Sequence, residues 1–87
     1  MAKVRFTLEW PGARKVYLAG DFNGWECGAK RMRRSRRGKD VFATCLNLAP
    51  GRYEFKYIVD GEWVCCPVSD RTPNAFGGEN SVIVVGG

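Results

Sequence analysis

Residues 53–63 read Tyr53-Glu54-Phe55-Lys56-Tyr57-Ile58-Val59-Asp60-Gly61-Glu62-Trp63. Apolar and polar side chains largely alternate in the first half of this stretch, and a period of two is typical of a β-strand with one buried face. Asp60-Gly61 follows directly, and this dipeptide between two such runs is the strongest short-range signal for a two-residue β-hairpin. The stretch therefore predicts a strand, a tight turn and the start of a second strand that runs antiparallel to the first.

The same period recurs along the rest of the chain, and no window combines helical spacing of apolar residues with a capping residue. Further strands are predicted at residues 4–10, 16–19, 41–48 and 81–85. About six to eight short strands separated by turn residues predict an all-β fold, an antiparallel β-sandwich of immunoglobulin-like size. Cys45 lies within one of the alternating runs, so we expect it to be a small core residue.

The chain has 87 residues, of which 45% are hydrophobic and 26% are charged. This is the length of one small domain, which we assign to residues 1–87, and the composition excludes a disordered or fibrous chain. No apolar run approaches the ~18 residues that a membrane helix needs, and residues 1–5 lack the apolar segment of a signal peptide. We therefore expect no membrane association, a cytoplasmic location and free thiols at the cysteines.

The residues that catalysis and metal binding need are missing or unpaired in the sequence. The chain has no histidine, which is the commonest general base and metal ligand, and it has no Cys-x-x-Cys pair. Asp60 is committed to a predicted turn, and Asp21 and Asp70 lie in predicted loops with no obvious partner for acid–base work. These observations predict a binding domain that is not an enzyme and that needs no metal and no cofactor.

Positive charge is concentrated in one segment of the chain. Residues 30–39 hold seven of the 14 lysines and arginines, whereas the rest of the chain is close to neutral and the net charge is +5. Such a segment can contact a nucleic acid or another polyanion, or it can be a solvated hairpin tip that charge keeps soluble. We favour the solvated hairpin and do not expect nucleic acid to be a partner.

Two of the three tryptophans lie where a ring is expected to stay partly exposed. Trp25 closes a polar loop that contains glycine, and Trp63 directly follows the predicted turn. Exposed rings on a rigid sheet can stack against a flat ligand, such as the C–H face of a glucose unit. Lys56 points away from the buried face of its strand and Asn80 lies in a loop, so both can bond hydroxyl groups. A purely structural role is the alternative for each of the four residues.

Three stretches, in the same order along the chain, resemble carbohydrate-binding module family 48. They are residues 16–25 (VYLAGDFNGW), 48–63 (LAPGRYEFKYIVDGEW) and 76–85 (FGGENSVIVV). This family includes the glycogen-binding domain of AMP-activated protein kinase β subunits and the N-terminal domains of isoamylase and of branching enzymes. The resemblance implies an early-set, immunoglobulin-like β-sandwich that binds α-1,4-glucan without catalysing a reaction.

The resemblance also implies which residues bind the sugar. In the glycogen-binding members two tryptophans hold the glucan, and a lysine and an asparagine bond its hydroxyls. These positions are Trp25, Trp63, Lys56 and Asn80 in this chain. Phe76 takes the position of an apolar residue, usually leucine, that projects into the curve of the glucan. A glucan-metabolising enzyme is the implied protein partner, and the alternative function is an early-set protein-interaction domain that is associated with such an enzyme and has no appreciable affinity for sugar.

Overall fold

Eight β-strands are present in the residues that the structure, a computed structural model, describes, namely 2–26, 28, 30–35, 40–66, 70–74 and 77–86. The strands are β1 (Ala2–Glu9), β2 (Val16–Gly20), β3 (Arg33–Arg34), β4 (Val41–Leu48), β5 (Gly51–Val59), β6 (Glu62–Val64), β7 (Asp70–Pro73) and β8 (Glu79–Val85). One turn of 3₁₀ helix follows β2 at Asp21–Asn23. No helix among these residues is long and apolar enough to cross a membrane. The all-β prediction is confirmed.

The strands form two antiparallel sheets. One sheet has three strands in the order β1-β4-β3, and the other has five, in the order β2-β5-β8-β7 with β6 also paired to β5. Tyr57 pairs with both β2 and β6, and Phe55 pairs with both β2 and β8. Since a strand has only two edges, β8 and β6 lie end to end along the edge of β5 that faces away from β2. Lys56 therefore lies at the junction between these two short neighbours.

The core lies between the two sheets and follows from the period of two. Phe6 and Leu8 are the buried residues of β1, and those of β5 include Phe55 and Tyr57. The Phe55 ring meets the Phe6 ring edge to face at 5.1 Å between centroids, and this contact joins the sheets into the predicted immunoglobulin-like β-sandwich. The Tyr57 hydroxyl donates to the Thr7 carbonyl of the other sheet at 3.2 Å. Burial raises the pKa of Tyr57 well above its ordinary value, so this hydroxyl keeps its proton.

Cys45 is exposed, so the prediction that it belongs to the core is wrong. The inward positions of β4 share a face with Phe42 and Leu48, and Cys45 has the opposite parity. It pairs with Arg5 of β1 on the outer face of the three-stranded sheet. The sequence of residues 41–48 does not show which alternating set of side chains faces the core, because several of the outward side chains are apolar as well. All three described cysteines are free thiols.

The Asp60-Gly61 turn joins β5 to β6 as predicted. Asp60 has a φ of 48° and Gly61 a φ of 91°, the two left-handed conformations that a type I′ turn requires. The Asp60 carboxylate also accepts hydrogen bonds from the backbone N–H groups of Lys15 at 2.8 Å and Arg14 at 3.1 Å. These bonds tie the chain before β2 to the hairpin, and they lower the pKa of the Asp60 carboxyl below its ordinary value.

Acid is expected to weaken the tie between Asp60 and the chain before β2. A carboxyl whose pKa is lowered by folding contributes stability that is present above its unfolded pKa and is lost as the pH falls through the folded value. Asp60→Asn suits the same turn and still accepts from Lys15, but it does not titrate. We expect wild type to be the more stable protein at neutral pH, and its advantage to shrink below pH 3.8, the ordinary pKa of the group.

Urea unfolding of wild type and of the Asp60→Asn variant across a pH series measures this difference. Because every other titrating group is common to both proteins, subtracting the two free energies of unfolding isolates Asp60. A difference that stays constant from neutral pH to pH 2 would contradict the prediction.

Candidate functional site

The loop that follows β2 is fixed by its own side chains. Asn23 accepts a hydrogen bond at Oδ1 from the Gly20 N–H (3.0 Å), and its Nδ2 donates to the Leu18 carbonyl (3.0 Å). The Phe22 ring packs against Phe6 of the core, with 5.6 Å between centroids. Short polar side chains bond nearby backbone readily, so these contacts set the direction in which the chain leaves β2.

Trp25 ends this loop in an uncommon conformation. Its φ is 62°, a left-handed value that costs a bulky residue about 1–3 kcal/mol. Its backbone N–H donates to the Gly20 carbonyl, and its indole Nε1–H donates to Asp21 Oδ1, both at 3.0 Å. The other carboxylate oxygen of Asp21 accepts from the Glu54 N–H of β5 at 2.8 Å. Asp21 thus fastens the half-buried indole to the five-stranded sheet.

Trp63 lies beside Trp25 on the outer face of this sheet. It belongs to β6, pairs with Ile58 of β5, and is 44% exposed. The two indole centroids are 6.5 Å apart, and the ring planes are inclined by 34°. Both rings are partly exposed, as predicted, and together they form a shallow, bent aromatic surface.

The two rings line an open cleft of about 710 Å³. The other described residues that line it are Asp21, Glu54, Lys56, Pro73, Asn74 and Asn80. Trp25, Trp63, Lys56 and Asn80, four of the five residues predicted to bind sugar, are therefore brought together in one cleft. Phe76, the fifth, lies outside the described residues.

A chain of hydrogen bonds orients the polar side of the cleft. Asn80 Nδ2 donates to Glu54 Oε1 at 3.2 Å, and Asn74 Nδ2 donates to Asn80 Oδ1 at 3.1 Å. Glu54 Oε2 in turn accepts from Arg52 Nη1 at 3.1 Å. An amide has two donor hydrogens and two acceptor lone pairs, so Asn80 keeps one of each for a ligand. Lys56 is half-buried in the same cleft and adds an ammonium donor.

The carboxylates of the cleft are already engaged within the protein. Asp21 accepts from the Trp25 indole and from a backbone N–H of β5, and Glu54 accepts from Asn80 and Arg52. The cleft therefore offers aromatic ring faces, amide groups and an ammonium. This combination suits a neutral ligand that has a flat C–H face and a rim of hydroxyl groups.

Sequence reasoning did not assign four of the lining residues, namely Asp21, Glu54, Pro73 and Asn74. Glu54 could have been predicted from β5. It is two residues from Lys56, which is a predicted binding residue, and residues two apart on a strand share a face. Asp21 had no visible partner because the Trp25 indole reaches it only through the folded shape of the loop. Asn74 meets the cleft through the connection between β7 and β8, which no pattern in the sequence predicts.

Curated plant proteins are similar to this chain over most of its length. Protein FLOURY ENDOSPERM 6, chloroplastic, of Oryza sativa subsp. japonica is 45% identical over 73 residues, which are 84% of this chain and 13% of that protein. Protein PTST homolog 2, chloroplastic, of Arabidopsis thaliana is 36% identical over 80 residues, which are 91% of this chain and 14% of that protein. The chain therefore corresponds to a small part of each of these longer relatives.

The relatives overturn the predicted location. Four of the matched proteins are named chloroplastic, so the prediction of a cytoplasmic location is wrong. That prediction rested on residues 1–5. The first residues of a stretch that matches only a small part of its relatives carry no information about where the longer proteins are sent.

A solved structure and a family model identify the fold and the family. The crystal structure of maltogenic amylase from S. marinus matches with a TM-score of 0.76 at 25% identity, over 98% of this chain and 14% of that one. A family model described as the glycogen recognition site of AMP-activated protein kinase matches residues 4–87, a range that contains the whole cleft. The chain therefore belongs to the family of the AMP-activated protein kinase glycogen recognition site.

Proposed function

We propose that residues 1–87 form a noncatalytic module that binds α-1,4-glucan in the cleft, with glucose units stacked on Trp25 and Trp63. The observation that carries this proposal is the pair of partly exposed indoles, 6.5 Å apart, above a polar cleft. Lys56 and Asn80 bond the sugar hydroxyls. The 34° inclination of the rings suits a ligand that curves, as an α-1,4-linked chain does.

The expected affinity is modest for a short oligosaccharide. Each stacked ring contributes about 1–3 kcal/mol by analogy with bases stacked on aromatic side chains. Each hydrogen bond adds about 0.5–1.5 kcal/mol because water competes for the same hydroxyl. After the cost of association, this corresponds to a Kd of roughly micromolar to millimolar. Retention on a polymer is stronger because one glucan molecule offers many sites.

Native gel electrophoresis with and without glycogen in the gel tests the proposal. We expect glycogen to retard the protein and β-cyclodextrin to restore its mobility, with little effect of salt because the ligand is neutral. Equal mobility in the two gels would reject glucan binding and favour the alternative, an early-set protein-interaction domain.

The hydrogen bonds that Asp21 and Glu54 accept within the protein support the noncatalytic role, because these two carboxylates are then not free to act as an acid–base pair. A glucan-metabolising enzyme is the proposed protein partner. The likeness to part of an amylase supports it. Phe76 remains a predicted contact from the resemblance alone.

Asp21 is expected to act as a positioning residue for Trp25. Asp21→Asn replaces one acceptor oxygen by an NH₂ group, so either the indole N–H or the Glu54 N–H loses its partner. We expect β-cyclodextrin affinity to fall about three- to tenfold, since the net contribution of one hydrogen bond is about 0.5–1.5 kcal/mol. Isothermal titration calorimetry measures the affinity, and the near-ultraviolet CD signal of the tryptophans reports the indole orientation.

Asp70→Asn is the matched control. It removes one negative charge, as Asp21→Asn does, but Asp70 lies on β7 and does not line the cleft. We expect it to leave both the affinity and the CD signal unchanged. Equal affinities for the two variants would show that Trp25 does not need Asp21.

A further inference from the structure

A second cleft lies along β3 and β4 of the other sheet, the three-stranded one. Its volume is about 810 Å³, and cations dominate its described lining. These cations are Arg14, Lys30, Arg31, Arg33 and Arg34. No described residue lines both this cleft and the one that contains the tryptophans. The two clefts are therefore independent surfaces.

Residues 30–34 carry four of these five cations and cross from one sheet to the other. The Met32 N–H donates to the Val16 carbonyl of β2 at 2.8 Å, whereas the next residue, Arg33, pairs with Ala43 of β4. Met32 is 2% exposed and anchors the segment in the core. Neighbours of an inward residue in extended backbone point outward, so Arg33 projects from the three-stranded sheet on a fixed support, whereas Arg31 bridges Tyr17 of β2.

β1 supplies a second row of cations on the same face. Arg5 pairs with Cys45 and Lys3 pairs with Asn47, and directly paired residues of antiparallel strands point to the same side. The central outward residues of β4 are short, so they form a floor between the cations of β1 and those around β3. We call this surface the basic trough, and its walls are Lys3 and Arg5 on one side and Arg33 on the other.

The charge of the basic trough is not neutralised within the described part of the chain. Salt bridges among these residues use Arg34 and Arg52, neither of which is a wall residue. Arg34 also donates to the Ala13 carbonyl at 2.9 Å, and its guanidinium covers the Phe42 ring at 5.1 Å. The carboxylate on this face, among the described residues, is Glu9 at the end of β1. A local excess of positive charge therefore faces solvent.

We propose that the basic trough binds an extended, acidic segment of a partner protein. Same-face residues of a strand are about 6.6–6.8 Å apart, and acidic side chains at every second position of an extended peptide have the same spacing. Guanidinium groups pair with carboxylates through two parallel hydrogen bonds.

Nucleic acid fits the basic trough less well than an acidic peptide does. Proteins that bind single strands stack the bases on exposed aromatic rings. Phe42 is the aromatic residue among the described lining of the second cleft. It is 2% exposed and lies beneath Arg34. The surface offers positive charge without a stacking platform, which favours carboxylates on a protein chain.

A labelled peptide of alternating glutamate and serine tests the proposal with the full chain. About ten extended residues span the 32 Å longest dimension of the domain. Fluorescence anisotropy at low salt should detect binding that weakens as salt rises, because the Debye length falls from about 30 Å at 0.01 M to about 10 Å at 0.1 M. The same peptide with glutamine in place of glutamate should not bind.

Charge reversal locates the interaction. Arg33→Glu and Arg5→Glu, one in each wall, should each weaken peptide binding about fivefold, since each replaces an attraction by a repulsion. Arg71→Glu changes the net charge equally but lies on β7 of the other sheet, so it should leave peptide binding nearly unchanged. Circular dichroism of each variant checks that it is folded.

Saturating β-cyclodextrin should not displace the peptide, because no wall residue of the basic trough lines the cleft that contains the tryptophans. The proposal is overturned by equal peptide binding in wild type and folded wall variants, or by an equal loss in Arg71→Glu. Displacement of the peptide by β-cyclodextrin also overturns it. Tighter binding of a single-stranded oligonucleotide of the same charge would make the surface a nucleic-acid site and overturn it as well.

Discussion

Trp25→Ala and Trp63→Ala, combined in one protein, are expected to abolish measurable binding to glycogen and to β-cyclodextrin. Two stacked rings together contribute about 2–6 kcal/mol, whereas a millimolar to micromolar Kd corresponds to about 4–8 kcal/mol in total. Removing both rings therefore takes away most of the binding free energy and leaves only hydrogen bonds with which water competes. Each single alanine variant should lose about ten- to a hundredfold in affinity.

Phenylalanine variants at the same two positions are the matched control. Trp25→Phe and Trp63→Phe keep an aromatic face, so we expect partial retention in glycogen gels where the alanine variants migrate freely. Thermal unfolding should be little changed for Trp63→Ala, because that ring is 44% exposed. Folded alanine variants that glycogen retards as strongly as the parent would show that the sugar binds elsewhere.

Gly20→Ala is expected to destabilise the whole domain. A Cβ at this position would lie 2.6 Å from the Glu54 carbonyl oxygen, 2.8 Å from Phe55 Cβ and 2.9 Å from Phe22 Cζ. The backbone itself is extended, with φ at −178°, so the cost is lack of space. Two of the three contacts are with β5, at the centre of its sheet, and they can give way only if the strand moves. We expect a loss of about 3 kcal/mol.

Thermal unfolding measures this loss, which corresponds to a fall in Tm of more than about 10 °C for a domain of this size. Gly86→Ala is the control, since a Cβ there would meet no atom within 4 Å. Gly12→Ala separates conformation from crowding, because that glycine has a φ of 81° but open space around it. A Tm of Gly20→Ala close to that of wild type would mean that β2 and β5 are less closely packed than described.

Local patterns predicted the fold well because its strands are regular. The alternation around Phe55 and the Asp60-Gly61 turn depend only on neighbouring residues, so the hairpin and the buried face of β5 could be read directly. Cys45 was assigned to the wrong face because apolar residues occupy both sides of its strand. Parity within such a run is set by the partner strand, here through the pairing of Cys45 with Arg5.

The site was predictable only in part. Trp25, Trp63, Lys56 and Asn80 could be named because a family resemblance supplied the positions, and they do line one cleft. The role of Asp21 depends on a distance between its carboxylate and an indole four residues away, which the loop sets in three dimensions. The crossing of residues 30–34 between the two sheets likewise depends on pairings distant in sequence.

Because β8 and β6 lie end to end along β5, Trp25 and Trp63 are not attached to the domain equally firmly. Trp25 is clamped through Asp21 to the middle of a sheet, whereas Trp63 is carried by a strand of three residues whose described ladder partner is β5 alone. The free energy of ligand binding therefore includes the free energy that is needed to keep β6 paired with β5. We therefore expect substitutions at Asp60 or Gly61, which do not line the cleft, to alter how long a glucan stays bound.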